Sequence, residues 1–214
     1  MEDKNVMHTG TTTIGIVCRD GIILAADKRA TLGGMIVVDR KCEKVLLITE
    51  DIALTTAGTV SDIQLLVKIV KAQLKLETIR REKKLSIKAV GNLLASLIYS
   101  NIRKMSMITG VTGFLMAGKD ATGFTLFELG MDGSLTKFDT YVTNGSGMMF
   151  ALGVLENEYK KGMSVEEGIK LAVKVINAAI QRDTASGNGI DIVTITKDGA
   201  KKVLTKEVET RLSL

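Results

Sequence analysis

Hydrophobic and polar positions along the chain alternate between two periods. Thr13–Cys18 and Ile22–Ala26 are strand-like runs joined by Arg19-Asp20-Gly21, a hairpin signal, and further strands are predicted at Met35–Val38, Lys44–Ile48 and Ile52–Thr56. Several of these runs are apolar nearly throughout, which predicts sheets covered on both faces. Helical spacing follows. Ser61-Asp62-Ile63-Gln64 reads as a capping box that opens a helix whose polar stripe is Gln64, Lys68, Lys71 and Lys75. A second helix starts near Ser86, with Val90, Leu93, Leu94, Leu97 and Ile98 on one face. Strands return at Gly113–Ala117, Phe124–Leu129 and Ser134–Tyr141. A helix over Phe150–Lys161, stopped at Gly162, precedes another that starts from the capping box Ser164-Val165-Glu166-Glu167. Strands Ile190–Thr196 and Lys201–Leu204 close the chain around Lys197-Asp198-Gly199.

Helices that come in pairs between blocks of strands disfavour a doubly wound parallel fold. The order predicts an α+β, four-layer αββα sandwich: two antiparallel sheets face to face, each covered by a helix pair. No linker, repeat or low-complexity segment divides the chain, so one domain is expected.

Composition narrows the chemistry. The 214 residues are 45% hydrophobic and 25% charged, ordinary for a globular protein. Two cysteines and one histidine cannot supply a multi-histidine or four-thiolate metal centre, and they leave little room for a Ser-His-Asp triad. Met1–Gly10 has no apolar core of a secretory signal, and no run approaches 18 apolar residues. A cytoplasmic location with no membrane partner is expected. The net charge of +5 raises nucleic-acid binding, but the basic patch Arg80, Arg81, Lys83 and Lys84 has no aromatic residues interleaved for stacking. It reads as a solvated helix end, and no nucleic-acid partner is expected.

Few candidate nucleophiles remain. Cys18 and Cys42 both read as buried structural thiols, and His8 as a solvent-facing side chain. Gly145-Ser146-Gly147 before a helix is a weak phosphate-loop signal, and Ala57-Gly58-Thr59 is a turn that could aim the Gly58 amide at an oxyanion. The segment Gly10-Thr11-Thr12-Thr13 says more. If the Gly10–Thr11 bond is cut, Thr11 carries both a hydroxyl nucleophile and a free α-amine, whose pKa of about 8 suits a base near neutral pH without any histidine. On spacing alone, a threonine-rich strand start is the commoner reading.

Taken together, Gly10-Thr11-Thr12-Thr13-x-Gly15, Ala25-Ala26-Asp27-x-Arg29-Ala30-Thr31, Lys44-Val45, Thr55-Thr56-Ala57-Gly58, Gly145-Ser146-Gly147 and Arg182-Asp183-x-x-Ser186-Gly187 stand in one family's order. The chain resembles a catalytic β subunit of the 20S proteasome, of archaeal type, among the N-terminal-nucleophile hydrolases. The resemblance covers Thr11–Leu214 and implies that residues 1–10 are a propeptide removed by autolysis between Gly10 and Thr11. It implies Thr11 as nucleophile, Asp27 and Lys44 beside its hydroxyl, and Ser146, Asp183 and Ser186 orienting the amine and a water. It further implies Gly58 as the oxyanion amide, Thr31 as a backbone partner for extended substrate, and a pocket that includes Ala30, Cys42, Thr56 and Val60. No cofactor or metal is implied. The implied partners are proteasome α subunits, other β subunits in stacked heptameric rings, a regulatory ATPase and unfolded polypeptides. Between Thr31 and Lys44 the chain is one residue longer than the family usually is, within 33–43. A non-catalytic structural β subunit and a small-molecule amidohydrolase with the same nucleophile are the alternatives.

Overall fold

A computed structural model of the chain describes residues 10–107 and 109–208. The first half is a run of antiparallel strands: β1 (Thr12–Cys18), β2 (Gly21–Asp27), β3 (Ala30–Leu32), β4 (Ile36–Asp39), β5 (Val45–Leu47) and β6 (Ile52–Gly58). Helices α1 (Val60–Arg81) and α2 (Ile87–Ile102) follow, then β7 (Thr112–Asp120), β8 (Gly123–Leu129), β9 (Leu135–Phe138) and β10 (Tyr141–Gly145). Helices α3 (Met148–Glu158) and α4 (Val165–Arg182) and strands β11 (Gly189–Thr196) and β12 (Gly199–Glu207) complete it.

The strands form one five-stranded sheet in the order β10-β1-β2-β11-β12, a second in the order β5-β6-β7-β8-β9, and a small β3–β4 ribbon. Three apolar cores hold four layers together. Leu24, Val45, Leu115, Leu126 and Val193 pack between the sheets. Ile14, Ile16, Ile23, Leu171 and Val175 join the first sheet to α3 and α4. Leu54, Val70, Leu94, Phe114 and Met116 join the second to α1 and α2. The fold is therefore the expected four-layer α+β sandwich, and β2, buried at every residue, carries no polar side chain before its last residue, Asp27, because both faces are covered.

Local differences from the pattern have physical causes. The Thr59 amide donates to the Val111 carbonyl, so the strand pairing reaches Thr59 and leaves it extended as the N-cap of α1. Ser61 is thereby drawn inside the first turn, where its hydroxyl meets Asp62, and the box with Gln64 does not form. The strand expected over Ser134–Tyr141 ends at Phe138 as β9, which pairs with β8; the chain then turns at Asp139-Thr140, and β10, a strand the pattern does not predict, pairs with β1 in the other sheet. Helix α3 starts two residues early and ends at Tyr159, leaving Gly162 in the following turn with φ +85°. At α2, Ser86 is a simple N-cap that accepts from the Ala89 amide, and the expected box at α4 does form, with Ser164 and Glu167 capping it reciprocally. The basic patch is a helix end: Arg80 and Arg81 pair with Glu77, and Lys84 with Glu50 and Asp51. No helix among the described residues is long and apolar enough to cross a membrane.

Candidate functional site

Gly10 and Thr11 enter β1, which runs between β10 and β2, with Thr12 opposite Gly145 and Thr13 opposite Ala26. The residues around Thr11 therefore come from strand ends that the first sheet brings together. Gly145 (φ +99°) makes the turn out of β10, and a Cβ there would overlap the Thr11 carbonyl. Only glycine lets the backbone bend this close to Thr11.

Asp27 ends β2 and is fully buried. Its Oδ1 accepts from the Thr12 amide (2.9 Å) and the Lys44 ammonium (2.8 Å), and its Oδ2 from the amides of Arg29 (3.0 Å) and Gly187 (2.9 Å). Four donors satisfy a buried carboxylate that would otherwise be costly. Lys44, also buried, is held by its backbone at the start of β5, where its carbonyl accepts from the Thr56 amide. Its ammonium lies 3.3 Å from the Gly10 carbonyl oxygen, which the Thr11 hydroxyl also meets at 2.6 Å. The Gly10 amide donates to the Thr31 hydroxyl at 3.0 Å, so Thr31 meets the chain here through its side chain rather than its backbone.

On the other side, the Thr11 nitrogen stands 3.2 Å from Ser146 Oγ. Ser146 and Ser186 both reach Asp183 Oδ2 at 2.6 Å, and Ser186 Oγ is 2.7 Å from Thr12 Oγ1. Asp183 occupies this place because it caps the C-terminus of α4. Arg29 binds the two halves together, donating to Asn188 Oδ1 and the Thr184 carbonyl at 2.8 Å each. All six expected catalytic positions thus converge on the Gly10–Thr11 bond. Neither Thr12 nor Arg29 is singled out by sequence reasoning. A threonine in a strand start carries no signal, and the guanidinium of Arg29 acts on a loop about 155 residues away in the chain.

A cavity of about 490 Å³ opens beside Thr11, lined by Gly58 and by each expected pocket residue, Ala30, Thr31, Cys42, Thr56 and Val60. Helix α1 adds Ile63, Gln64, Val67, Lys68 and Lys71, a wall that the sequence pattern divides between core and solvent without placing it at a site. Leu46, Asp39 and Glu43 complete the lining. The two thiols differ. Cys18 is buried as expected, with desolvation and then Asp20 pushing its thiol up to about 12. Cys42 is half-buried on the cavity wall rather than in the core, and burial raises its thiol although Lys44 opposes the shift. Of the expected leader only Gly10 is described, and His8 lies outside the described residues. Among the described residues no group of three His, Cys, Asp or Glu side chains is placed to hold a metal ion.

A family model described as proteasome subunit matches residues 7–195. The chain is 38% identical to the proteasome subunit beta of Archaeoglobus profundus over 212 residues, which is 99% of this chain and 96% of that protein. It is 44% identical to the proteasome subunit beta 2 of Pyrococcus abyssi over 91% of this chain and 90% of that protein. With the corresponding Pyrococcus furiosus protein it shares 44% identity over 95% of each. On this match, which spans nearly the whole chain, the protein belongs to the proteasome subunit family, and these three relatives are archaeal β subunits.

Proposed function

We propose that this chain is a threonine endopeptidase subunit of a proteasome core particle, made as a precursor whose residues 1–10 it removes itself. The observation that carries the reading is the meeting of the Thr11 hydroxyl and the Lys44 ammonium on the Gly10 carbonyl, at 2.6 and 3.3 Å. Attack of Thr11 Oγ1 on the Gly10 carbonyl carbon closes a five-membered ring through the Thr11 nitrogen, Cα and Cβ. The developing negative charge falls on the oxygen beside Lys44, whose ammonium stabilises it. Collapse of the ring breaks the Gly10–Thr11 C–N bond, the departing nitrogen takes up the proton given up by Oγ1, and Gly10 is left as an ester on Oγ1 beside a free Thr11 amine. Water hydrolyses the ester, which releases the leader with a Gly10 carboxylate and restores the Thr11 hydroxyl.

The mature residue then repeats the attack on a substrate. Its amine takes the hydroxyl proton, Lys44 lowers the proton affinity of hydroxyl and amine by charge, and Asp27 keeps Lys44 in place. Ser146, Asp183 and Ser186 orient the amine and the hydrolytic water, and the Gly58 amide meets the oxyanion. An extended peptide lies along Thr31, and its side chain before the cut enters the cavity between Ala30, Cys42, Thr56 and Val60. That small, mostly apolar lining, deepened by Leu46, Ile63 and Val67, supports loose selection of hydrophobic side chains.

The chain works in stacked heptameric β rings flanked by α rings, with a regulatory ATPase feeding unfolded chains, in the cytoplasm. Exposed Leu65, Leu76 and Ile79 on α1 and Met148, Met149 and Phe150 on α3 support burial against neighbouring subunits. The test is expression with α subunits, followed by intact-mass analysis and assay on fluorogenic hydrophobic peptides. The particle is expected to hold a β chain beginning at Thr11, and Thr11→Ala to keep residues 1–10 and lose hydrolysis. A Thr11→Ala particle that cleaves at full rate overturns the reading.

A further inference from the structure

We infer that Thr12 is a positioning residue for the Thr11 amine, its hydroxyl the terminal donor of a hydrogen-bond chain running through Ser186 and Asp183 to Ser146. The inference rests on the reading of Thr11 as an N-terminal nucleophile. Thr12 is fully buried at the start of β1, and a hydroxyl in such a place needs a partner. That partner is Ser186 Oγ at 2.7 Å. Gly147 leaves the space for it, since a Cβ there would overlap Thr12 Oγ1.

Counting protons sets the direction of every bond. An ionised carboxylate only accepts, so Ser146 and Ser186, both 2.6 Å from Asp183 Oδ2, each give it their single proton. Ser186 then has only lone pairs for Thr12, and Thr12 must donate. Ser146 likewise has only lone pairs for the Thr11 nitrogen at 3.2 Å, and its longer contact to the Thr11 carbonyl (3.3 Å) lacks a proton. The chain reads Thr12 to Ser186 to Asp183, and from the other end Thr11 nitrogen to Ser146 to Asp183. It pins one N–H of the mature amine on Ser146 and leaves the amine's lone pair for the hydroxyl proton.

Without the Thr12 donor, Ser186 Oγ no longer accepts the hydrogen bond that polarises its own O–H, so the bond it donates to Asp183 weakens. The carboxylate keeps both hydroxyl partners but is stabilised less by Ser186, and its charge bears more strongly on the amine through Ser146. The other charged groups around Thr11 do not change: Lys44 and Asp27 beneath it, Arg29 and Arg182 flanking the Asp183 loop, and Asp39, Glu43, Lys68 and Lys71 on the cavity wall. The amine must therefore titrate at higher pH.

The experiment compares pH profiles of kcat/KM for assembled, mature particles carrying Thr12→Val, which keeps the branched shape without the donor, and Thr12→Ser, which keeps the donor. Thr12→Val is expected to move the acid limb up by about half to one pH unit, a loss of about three- to tenfold in rate at pH 6.5 with little change in KM. The pH dependence of Thr11 amine acetylation, followed by mass spectrometry, is expected to move with it. Thr12→Ser restores the wild-type limb. If Thr12→Val particles do not assemble, Thr12→Ala carries the same expectation. An unmoved limb in the hydroxyl-free variant, or an equal shift in Thr12→Ser, overturns the inference. An active Thr11→Ala particle would instead overturn the functional reading beneath it, so the two failures are distinguishable.

Discussion

Replacing Asp27 by asparagine tests the site at its most constrained point. Each carboxylate oxygen of Asp27 accepts from two donors, Thr12 and Lys44 on one, Arg29 and Gly187 on the other. Asparagine offers one oxygen and one NH₂, so in either orientation a donor faces two donors. Lys44, only 4% exposed, loses its counter-charge as well. Removing one partner of a buried pair costs about 3–5 kcal/mol, and each unsatisfied buried N–H adds about 1–3 kcal/mol. The expected loss is at least about 4 kcal/mol, a large part of the ~5–15 kcal/mol that keeps a domain folded. Urea unfolding of the isolated subunit measures it, in a Thr11→Ala background so that both chains keep the same ends. With a slope of about 2–3 kcal/mol per molar, the midpoint falls by about 1.5–2 M. Adding Lys44→Met removes the orphaned charge and should return part of the loss, so the double variant is more stable than Asp27→Asn alone. In the otherwise native chain, Asp27→Asn should block removal of residues 1–10. Lys28→Met is the control. It breaks the neighbouring buried pair of Lys28 with Asp191 (3.0 Å), which does not touch Thr11, so stability falls while the leader is still removed. A midpoint for Asp27→Asn within ~0.3 M of the parent, or strictly additive losses in the double variant, would refute the reasoning.

Gly58→Ala should give little soluble subunit, because φ is +122° and the new Cβ would overlap the Val111 carbonyl; comparing soluble yields with Gly153→Ala, where nothing lies within 4 Å, isolates the strain. Ser164→Ala removes half of the reciprocal box at α4 and should cost about 1 kcal/mol, read as a small fall in Tm. The raised Cys18 thiol predicts pH dependence with a definite sign. Between pH ~9, where the thiol of an unfolded chain ionises, and about 12, where the folded one does, the folded state holds the extra proton, so stability falls as pH rises. Cys18→Ala should flatten denaturation midpoints measured across that window, and an unchanged slope would contradict the assignment.

The layers were legible because burial on both faces writes itself into the chain: Ile22–Ala26 needs no polar alternation when helices and a second sheet cover it. The helix start near Ser86 and the capping box at Ser164 were equally local, and the folded chain uses both serines as N-caps. The box at Ser61 failed because a partner fifty residues later, the Val111 carbonyl, decides where β6 ends. The break between β9 and β10 escaped for a similar reason, as strand exchange between sheets leaves no mark on alternation. At the site, Asp27 and Lys44 were placed by the resemblance to proteasome β subunits, since nothing in their own neighbourhoods along the chain marks them. The contribution of Thr12 was invisible, because it depends on the single proton of Ser186, 174 residues away. The wall formed by α1 was hidden too, since Lys68 and Lys71 read as solvated positions whether or not a cavity lies beside them.

The site's dispersion along the chain has a consequence for timing. Asp27 needs the amide of Gly187, and Ser146 needs the carboxylate at the end of α4. While a ribosome is still synthesising the chain, everything needed to cut after Gly10 except this last piece can already have emerged, and the bond stays intact. On the proposed self-cleavage, activation is deferred until synthesis is nearly finished, and a nascent chain cut short before residue 183 should keep residues 1–10 however long it is incubated.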